Sequence, residues 1–370
     1  MWKEWKTQSS FCLPTHWIFD MGKQKTIKDV AELAGVSVAT ASRVLSDSDY
    51  PVRPQLQQKV REAAEKLEYA PNAMAQSLRR EVCRDVALIV PNISNPFYLQ
   101  AVLGVGEALS SGDYNMIFCN TMHDPDRERN FLRQLYERQV RGVILSSVAE
   151  GTAELVQKFI QRGMKFVLLD QMLPGVESPA IHYDSRAGAK MAVEHLVEMG
   201  HKRIAFATTS LVRFTRTEIY KGYRDALVAA GLPAGGELVY ECAINKAGRG
   251  SDYELNIGRQ IAADFIKDGC PATAILCIND MVAVGLIQSL VRNGIRVPED
   301  VSVIGFDDIP IAAAFLPPLT TVHYPAQEIG RLAALMLMDS IQNNEDQTAL
   351  SMSLTPKLML RDSVCPPKDR

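Results

Sequence analysis

The chain has no CxxC pair among its seven cysteines, and the seven are scattered (Cys12, Cys83, Cys119, Cys242, Cys270, Cys277 and Cys365). Their number is odd, and several lie in apolar runs such as "MIFCN" and "AILCIND". That pattern argues against a disulfide framework or a zinc site and leads us to expect buried, reduced thiols in a cytoplasmic protein. Long hydrophobic runs are missing too. No stretch approaches the roughly eighteen apolar residues of a membrane span, so no membrane partner is expected. GxSxG, HExxH and P-loop patterns are absent, and neither a catalytic residue, a metal nor a cofactor is expected.

Charge of one sign is scarce as well, with a net −3 over 370 residues, but it is unevenly spread. Residues 21–80 hold ten Lys/Arg against seven Asp/Glu, a local +3, residues 1–20 balance, and 81–370 therefore carry −6. A mildly basic front on an acidic body suggests that only the front meets a polyanion. The first twenty residues, "MWKEWKTQSSFCLPTHWIFD", lack the continuous apolar core of a secretory leader. Residues 1–23 read as a disordered extension, with Met21 as an alternative start.

Two patterns that look chemical have plainer readings. "GVGEALSSG" (104–112) has glycines spaced somewhat like a nucleotide fingerprint, yet it lies within a helical stretch and not after a strand. "HDPD" (123–126) offers metal-type side chains but opens a helix, where aspartate is a natural cap.

From residue 86 the chain alternates short apolar runs with amphipathic stretches of helical length. The strand-like runs are 86–90, 115–120, 142–145, 165–170, 180–184, 203–208, 238–242, 274–278 and 301–308, with "TTVHY" (320–324) and "LTPKLML" later. Phe97–Ser111, Asp126–Arg138, Ser185–Met199 and Asn279–Asn293 are among the helices between them. Such alternation indicates parallel sheets covered on both faces. Nine such strands suit two doubly wound subdomains, with a passage between them near 185–203 and a return crossing after "PPLT". Ligands of these folds bind beyond the carboxyl ends of the strands, here between the halves.

The front is different. In "TIKDVAELAGVSVATASRVLS" (26–46), Thr26 can cap a first helix, Ile27 to Leu33, with Asp29 as its box partner. Gly35 frees the turn, and Ser37 can cap a second helix, Val38 to Leu45. Ala41, Val44 and Leu45 suit packing on Val30 and Leu33, which leaves Val38, Ala39, Ser42 and Arg43 outward. A third helix, Pro54 to Leu67, packs through Leu56, Val60, Ala63, Ala64 and Leu67. Two short helices about a glycine turn form a helix-turn-helix, and a small-faced helix with one arginine fits the major groove. The competing reading is a three-helix packing domain that binds nothing.

"YAPNAMAQSLRRE" (69–81) weakens that competitor. Together with "TIKDVAELAGVSVATASRVLS", it resembles the headpiece and hinge of the lactose/galactose repressor family of bacterial transcription regulators. "VALIVPNISNPFY", "GHKRIAF", "AILCINDMVAVG", "VSVIGFDD" and "PPLTTV" extend the resemblance over residues 24–363 in the family's order. The resemblance implies an all-α headpiece (24–70), a hinge helix and linker (71–83), and an α/β effector-binding and dimerisation body (84–363) of periplasmic-binding-protein type. Residues 364–370 are expected to form a tail.

It further implies a homodimer on pseudo-palindromic operator DNA. Val38, Ala39 and Arg43 would read bases, Thr40 and Ser42 would contact phosphates, and Asn72, Ala75 and Leu78 belong to the hinge. Leu78 falls on the family's minor-groove wedge. Eight hinge residues are too few for a stable isolated helix, so their order would come from the DNA. Arg53 stands where the family usually places a Ser/Thr cap, which predicts a weaker start to the third helix.

In the body, Asn95, Phe97, Asp170, Asn279 and Asp307 fall on sugar-contact positions of the family, and Tyr253 on its aromatic platform. One departure stands out. Three residues before Gly222-Tyr223 the family commonly has a ligand-binding arginine, and here that residue is Ile219. Arg213 or Arg216 would have to reach the cleft instead, for a sugar acid, or else a neutral sugar binds without a clamp. The implied function is a carbohydrate-responsive repressor. A solute-binding protein of transport and a doubly wound enzyme are the alternatives, disfavoured by the headpiece and by the lack of a placed nucleophile or cofactor loop. No leucine heptad follows "LTPKLML", so a dimer is expected in preference to a tetramer.

Overall fold

The computed structural model describes residues 25–45, 50–69, 84–147, 149, 151–242, 250–343 and 350–368. The extension expected at 1–23 and the hinge residues Asn72, Ala75 and Leu78 lie outside these. The chain divides into two units, Met1–Val82 and Cys83–Arg370.

In the first unit, α1 (Ile27–Ala34), α2 (Val38–Leu45) and α3 (Pro54–Lys66) enclose a small core of Val30, Ala31, Ala41, Val44, Val60, Ala63 and Ala64. The Asp29 carboxylate accepts hydrogen bonds from the Thr26 N–H (2.6 Å) and hydroxyl (2.9 Å), so two polar groups at the first helix's start are satisfied locally. Gly35 takes the left-handed conformation (φ 65°) that ends α1, at no Cβ penalty. The Ser37 hydroxyl accepts from the Thr40 N–H at 3.1 Å and starts α2. Arg53 gives α3 no side-chain cap, and Pro54 occupies its first turn. Leu33, expected in this core, is exposed. The buried stripe of α1 runs Ile27, Val30, Ala31, Ala34, the i, i+3, i+4, i+7 spacing, and leaves Leu33 on the flank.

The second unit holds two lobes. Strands of the first lobe are β1 (Asp85–Val90), β2 (Asn115–Asn120), β3 (Gly142–Leu145), β4 (Lys165–Leu169) and β5 (Ala180–Tyr183). Those of the second are β6 (Ile204–Thr209), β7 (Val239–Cys242), β8 (Ala274–Cys277), β9 (Ser302–Asp307) and β10 (Thr320–His323). Two late strands, β11 (Ser351–Leu354) and β12 (Lys357–Met359), complete sheets ordered β11-β5-β4-β3-β1-β2 and β12-β10-β9-β8-β6-β7. Every pairing is parallel except β12 on β10. Val86 to Val90 are all buried because helices cover both faces of the sheet.

The helices are α4 (Pro96–Ser111), α5 (Pro125–Glu137), α6 (Thr152–Ile160), α7 (Ser185–Glu198), α8 (Phe214–Ala229), α9 (Tyr253–Lys267), α10 (Asp280–Arg292), α11 (Pro310–Ala314) and α12 (Ala326–Asn343). The chain crosses between lobes three times. It first crosses at Asp184, at the start of the stretch the sequence suggests, and α7 packs on α8, β10 and β12 of the second lobe. After β10 it returns, and α12 packs on α4, β3 and β4. The run "LTPKLML", read as one strand, is split: Leu354 ends β11 in the first sheet and Lys357 begins β12 in the second. Pro356 has no N–H to donate to a ladder, which suits it to the break.

The expected tail also begins too early. Ser363 is fully buried and donates to the Val303 carbonyl (2.6 Å), while the Cys365 N–H donates to the Ser302 hydroxyl (3.1 Å). A His201 ring nitrogen lies 3.0 Å from the Cys365 carbonyl. These bonds bind residues 363–365 into the second lobe.

Candidate effector cleft and nucleic-acid interface

The carboxyl ends of the strands in both sheets open onto one narrow cavity of about 50 Å³, so the lobes stand close together. From the first lobe it is lined by Asn95, Phe97 and Tyr98 at the start of α4, and by Asp170 after β4. Ser185 lines it at the first crossing. The second lobe contributes Arg213, Thr215, Arg216 and Ile219 from α8, with Ile278, Asn279, Phe306 and Asp307 from the ends of β8 and β9. Tyr324, at the second crossing, completes the wall.

Local structure explains why these side chains converge. Asn95 Oδ1 accepts from the Phe97 N–H (3.0 Å) and Asn279 Oδ1 from the Val282 N–H (2.8 Å), so each caps its helix while lining the cavity. Asp170 (φ 55°) and Asp307 (φ 112°) both have left-handed backbones, sparsely populated for non-glycine residues and frequent at ligand sites. Behind Asp307, Asp308 binds Arg361 (2.6 Å) and His323 (2.7 Å), and Asp280 accepts from the Thr321 hydroxyl (2.5 Å) and the Ile309 N–H (2.9 Å). This network fixes the end of β9. Tyr324 stacks on Tyr183 with centroids 4.1 Å apart and donates to Ser185 (3.0 Å), so two of the crossings are locked to each other.

Electrostatically the cavity is tense. Burial pushes the Asp170 carboxyl up to about 7, against the pull of Arg213. Burial, then the Asp280 and Asp170 charges, raise Asp307 well above the usual carboxylate range. Burial and then the neighbouring Arg213 charge bring Arg216 down to about 10. Tyr98 is raised to about 12, mainly by burial. Asp170 Oδ1 is buried without a hydrogen-bond partner.

Six of the seven expected effector residues therefore share one cavity: Asn95, Phe97, Asp170, Arg216, Asn279 and Asp307. Tyr253 does not line it. Its ring is fully buried at the start of α9 and lies against His123 (centroids 4.2 Å), which comes from the loop after β2. Glu254, the next residue, reaches across the lobes to accept from Asn92 Nδ2 (2.7 Å). Ser185, Thr215, Ile278, Phe306 and Tyr324 also line the cavity and are not singled out by the sequence. Phe306 and Tyr324 each stand at a strand's carboxyl end, the signal that could have found them. The glycines of "GVGEALSSG" lie inside or just after α4, and Asp124 caps α5 by accepting from the Asp126 N–H (2.9 Å). Among the described residues no cluster has the make-up of a metal site.

In the helical unit, Val38, Ala39 and Arg43 are exposed along α2, and the Arg43 guanidinium sits 4.4 Å from the centre of the Tyr50 ring. Thr40 is half-buried beside Ser37. Ser42, expected on the outward face, is buried. It follows Ala41 and precedes Val44, both core residues, so it falls at the edge of the inner face.

A helix-turn-helix unit joined to a two-lobed, parallel-sheet body with a polar cleft defines a ligand-responsive DNA-binding protein. Comparison with known proteins gives the family. Residues 26–72 match the family described as bacterial regulatory proteins, lacI family, and residues 193–364 match the periplasmic binding protein-like domain. The HTH-type transcriptional repressor PurR of Photobacterium profundum is 32% identical over 344 residues, covering 92% of this chain and 98% of that one. PurR of Aliivibrio fischeri is 33% identical over 345 residues, with the same coverage. The chain belongs to the lacI family and is a DNA-binding transcriptional repressor of that family.

Among solved structures, the transcriptional regulator CelR in complex with cellobiose is 29% identical (TM-score 0.68, 92% of this chain and 99% of that one). A lacI-family regulator from Enterococcus faecium with bound ribose is 27% identical (TM-score 0.68, 77% and 100%). The lac repressor dimer on its operator, at 22% identity and TM-score 0.77 over 93% and 100%, shares the fold.

Proposed function

We propose that the protein represses genes of carbohydrate use and is controlled by a sugar-type effector held between the lobes. The observation that carries the reading is the lining of the cleft. Asp170 and Asp307 can take paired hydroxyls, Asn95 and Asn279 add amides, and Phe97, Tyr98, Phe306 and Tyr324 give aromatic faces for the C–H side of a ring. Two solved relatives below one-third identity hold cellobiose and ribose, which supports the same ligand class here. Asn95, Phe97, Asp170, Arg216, Asn279 and Asp307 are the proposed contacts, and Tyr253, which does not line the cavity, is not among them.

On DNA, Val38, Ala39 and Arg43 read bases in the major groove, and Thr40 contacts phosphate. Ser42 serves the helical core first. Two copies bind a pseudo-palindromic operator, with Asn72, Ala75 and Leu78 of each hinge in the minor groove. Admission of a ring to so narrow a cavity requires the lobes to part and re-close, and that movement is the physical link from effector to hinge.

Two measurements test this. In a thermal-shift screen of the whole chain, a sugar or sugar acid should raise the unfolding midpoint. A gel shift should prefer palindromic over scrambled DNA, with Arg43→Ala relaxing base preference by roughly 1–3 kcal/mol at one position per half-site. Equal binding to scrambled DNA would sink the repressor assignment of these residues.

A further inference from the structure

We infer that Tyr50 is a positioning residue for base reading: its ring holds the Arg43 guanidinium ready to fork onto a guanine edge in the major groove. This rests on the reading that Arg43 contacts a base, and it names the side chain that sets how selectively Arg43 does so.

Arg43 lies in the last turn of α2 and is exposed. A long side chain at such a place has much rotamer freedom, which binding to one base must remove. Here the guanidinium sits over the Tyr50 ring, 4.4 Å from its centre, well inside the roughly 6 Å over which a cation is drawn to an aromatic face. That attraction requires none of the N–H donors in the guanidinium plane, the groups that can fork onto guanine O6 and N7. Ring contact and base contact are therefore compatible, and the first prepares the second.

Tyr50 is itself held from behind. A residue before proline is steered toward extended conformations, so Pro51 narrows the choices of the Tyr50 backbone. Val52 then packs against the helical core, and Gln57 Nε2 donates to the Val52 carbonyl at 3.0 Å. The tyrosine ring stays outside that core. It is 61% exposed, more than any other large apolar side chain described in the helical unit. Packing on the core therefore does not account for its place beside Arg43. The phenol hydroxyl has no part in the role, so phenylalanine should serve as well.

The test uses the full chain and pseudo-palindromic DNA selected from a random library, with copies in which one base pair at a time is exchanged. Fluorescence anisotropy gives the affinities, and Arg43→Ala locates the position whose preference the arginine sets. At that position Tyr50→Leu should lower the preference about two- to fivefold, the range for a cation on an exposed ring, with affinity for scrambled DNA unchanged. Tyr50→Phe should keep the wild-type preference. In the Arg43→Ala background, Tyr50→Leu should change the preference no further. If the leucine variant does not fold, Tyr50→Gln takes its place with the same expectations. Four results would overturn the positioning role and leave Arg43 as a base reader: wild-type preference in the folded variant, a phenylalanine variant as impaired as the leucine one, equal loss with and without Arg43, or equal weakening on operator and scrambled DNA. Wild-type preference at every position in Arg43→Ala would overturn both.

Discussion

Asp170 shows how single residues carry the site's energetics. It sits on a left-handed backbone at the end of β4, and burial holds its carboxyl near 7. A carboxyl raised in the folded state binds more protons there than in the unfolded chain between about pH 4 and pH 7. Its protonated form favours the fold at the acid end of that window, and the contribution is lost as pH rises through the folded value. Asp170→Asn keeps an uncharged group at every pH. The variant should therefore melt above wild type at pH 8, and the gap should close towards pH 5. Calorimetric scans at pH 5, 6.5 and 8 check this, and a gap that does not change with pH would contradict it. Residue identity also set the limits of prediction. Asp170, Asn279 and Asp307 were legible through the family resemblance of their motifs, each of which closes a strand-like apolar run. Tyr253 was not, because nothing in its own segment reveals that its ring is buried against His123, 130 residues earlier, and not on the cavity wall.

Among the elements, α4 and α12 illustrate close packing that a motif search misreads. An added Cβ at Gly104 would strike the Gln327 carbonyl, and one at Gly330 would strike the Ala101 carbonyl. The glycine that looks like part of a nucleotide fingerprint allows two backbones to touch. Gly104→Ala should destabilise the body by about 1–3 kcal/mol, the usual cost of overpacking, seen as a lower urea midpoint with an unchanged slope. Wild-type stability would show that α12 can shift freely. The strands and most helix limits were readable because buried parallel strands are short apolar runs and their helices are amphipathic. The destination of each element was harder to read. α7 and α12 join the lobe opposite to the strand that precedes them, and a local pattern holds no information on such long-range pairing. "LTPKLML" was misassigned for the same reason, since its halves serve different sheets.

For the whole molecule, two of the three crossings are tied by the Tyr183–Tyr324 stack, and Tyr324 also lines the cleft. The lining of the cleft and the tie between the crossings are thus built on a shared residue, so a group bound in the cleft would bear on the orientation of the lobes. The outline of headpiece and body was legible from motif order alone. The effector's class was not, because it depends on how side chains from both lobes meet in the cleft, and a local pattern does not record that. The most direct test is fluorescence anisotropy of the full chain on pseudo-palindromic DNA selected from a random library. The compound with the largest thermal shift is then titrated in, for wild type and for Asp307→Ala. The cleft-controlled account predicts at least a tenfold change in DNA dissociation constant for wild type, and little or none for the variant, with both binding DNA alike when no ligand is added. An operator affinity that stays constant at saturating ligand would contradict it.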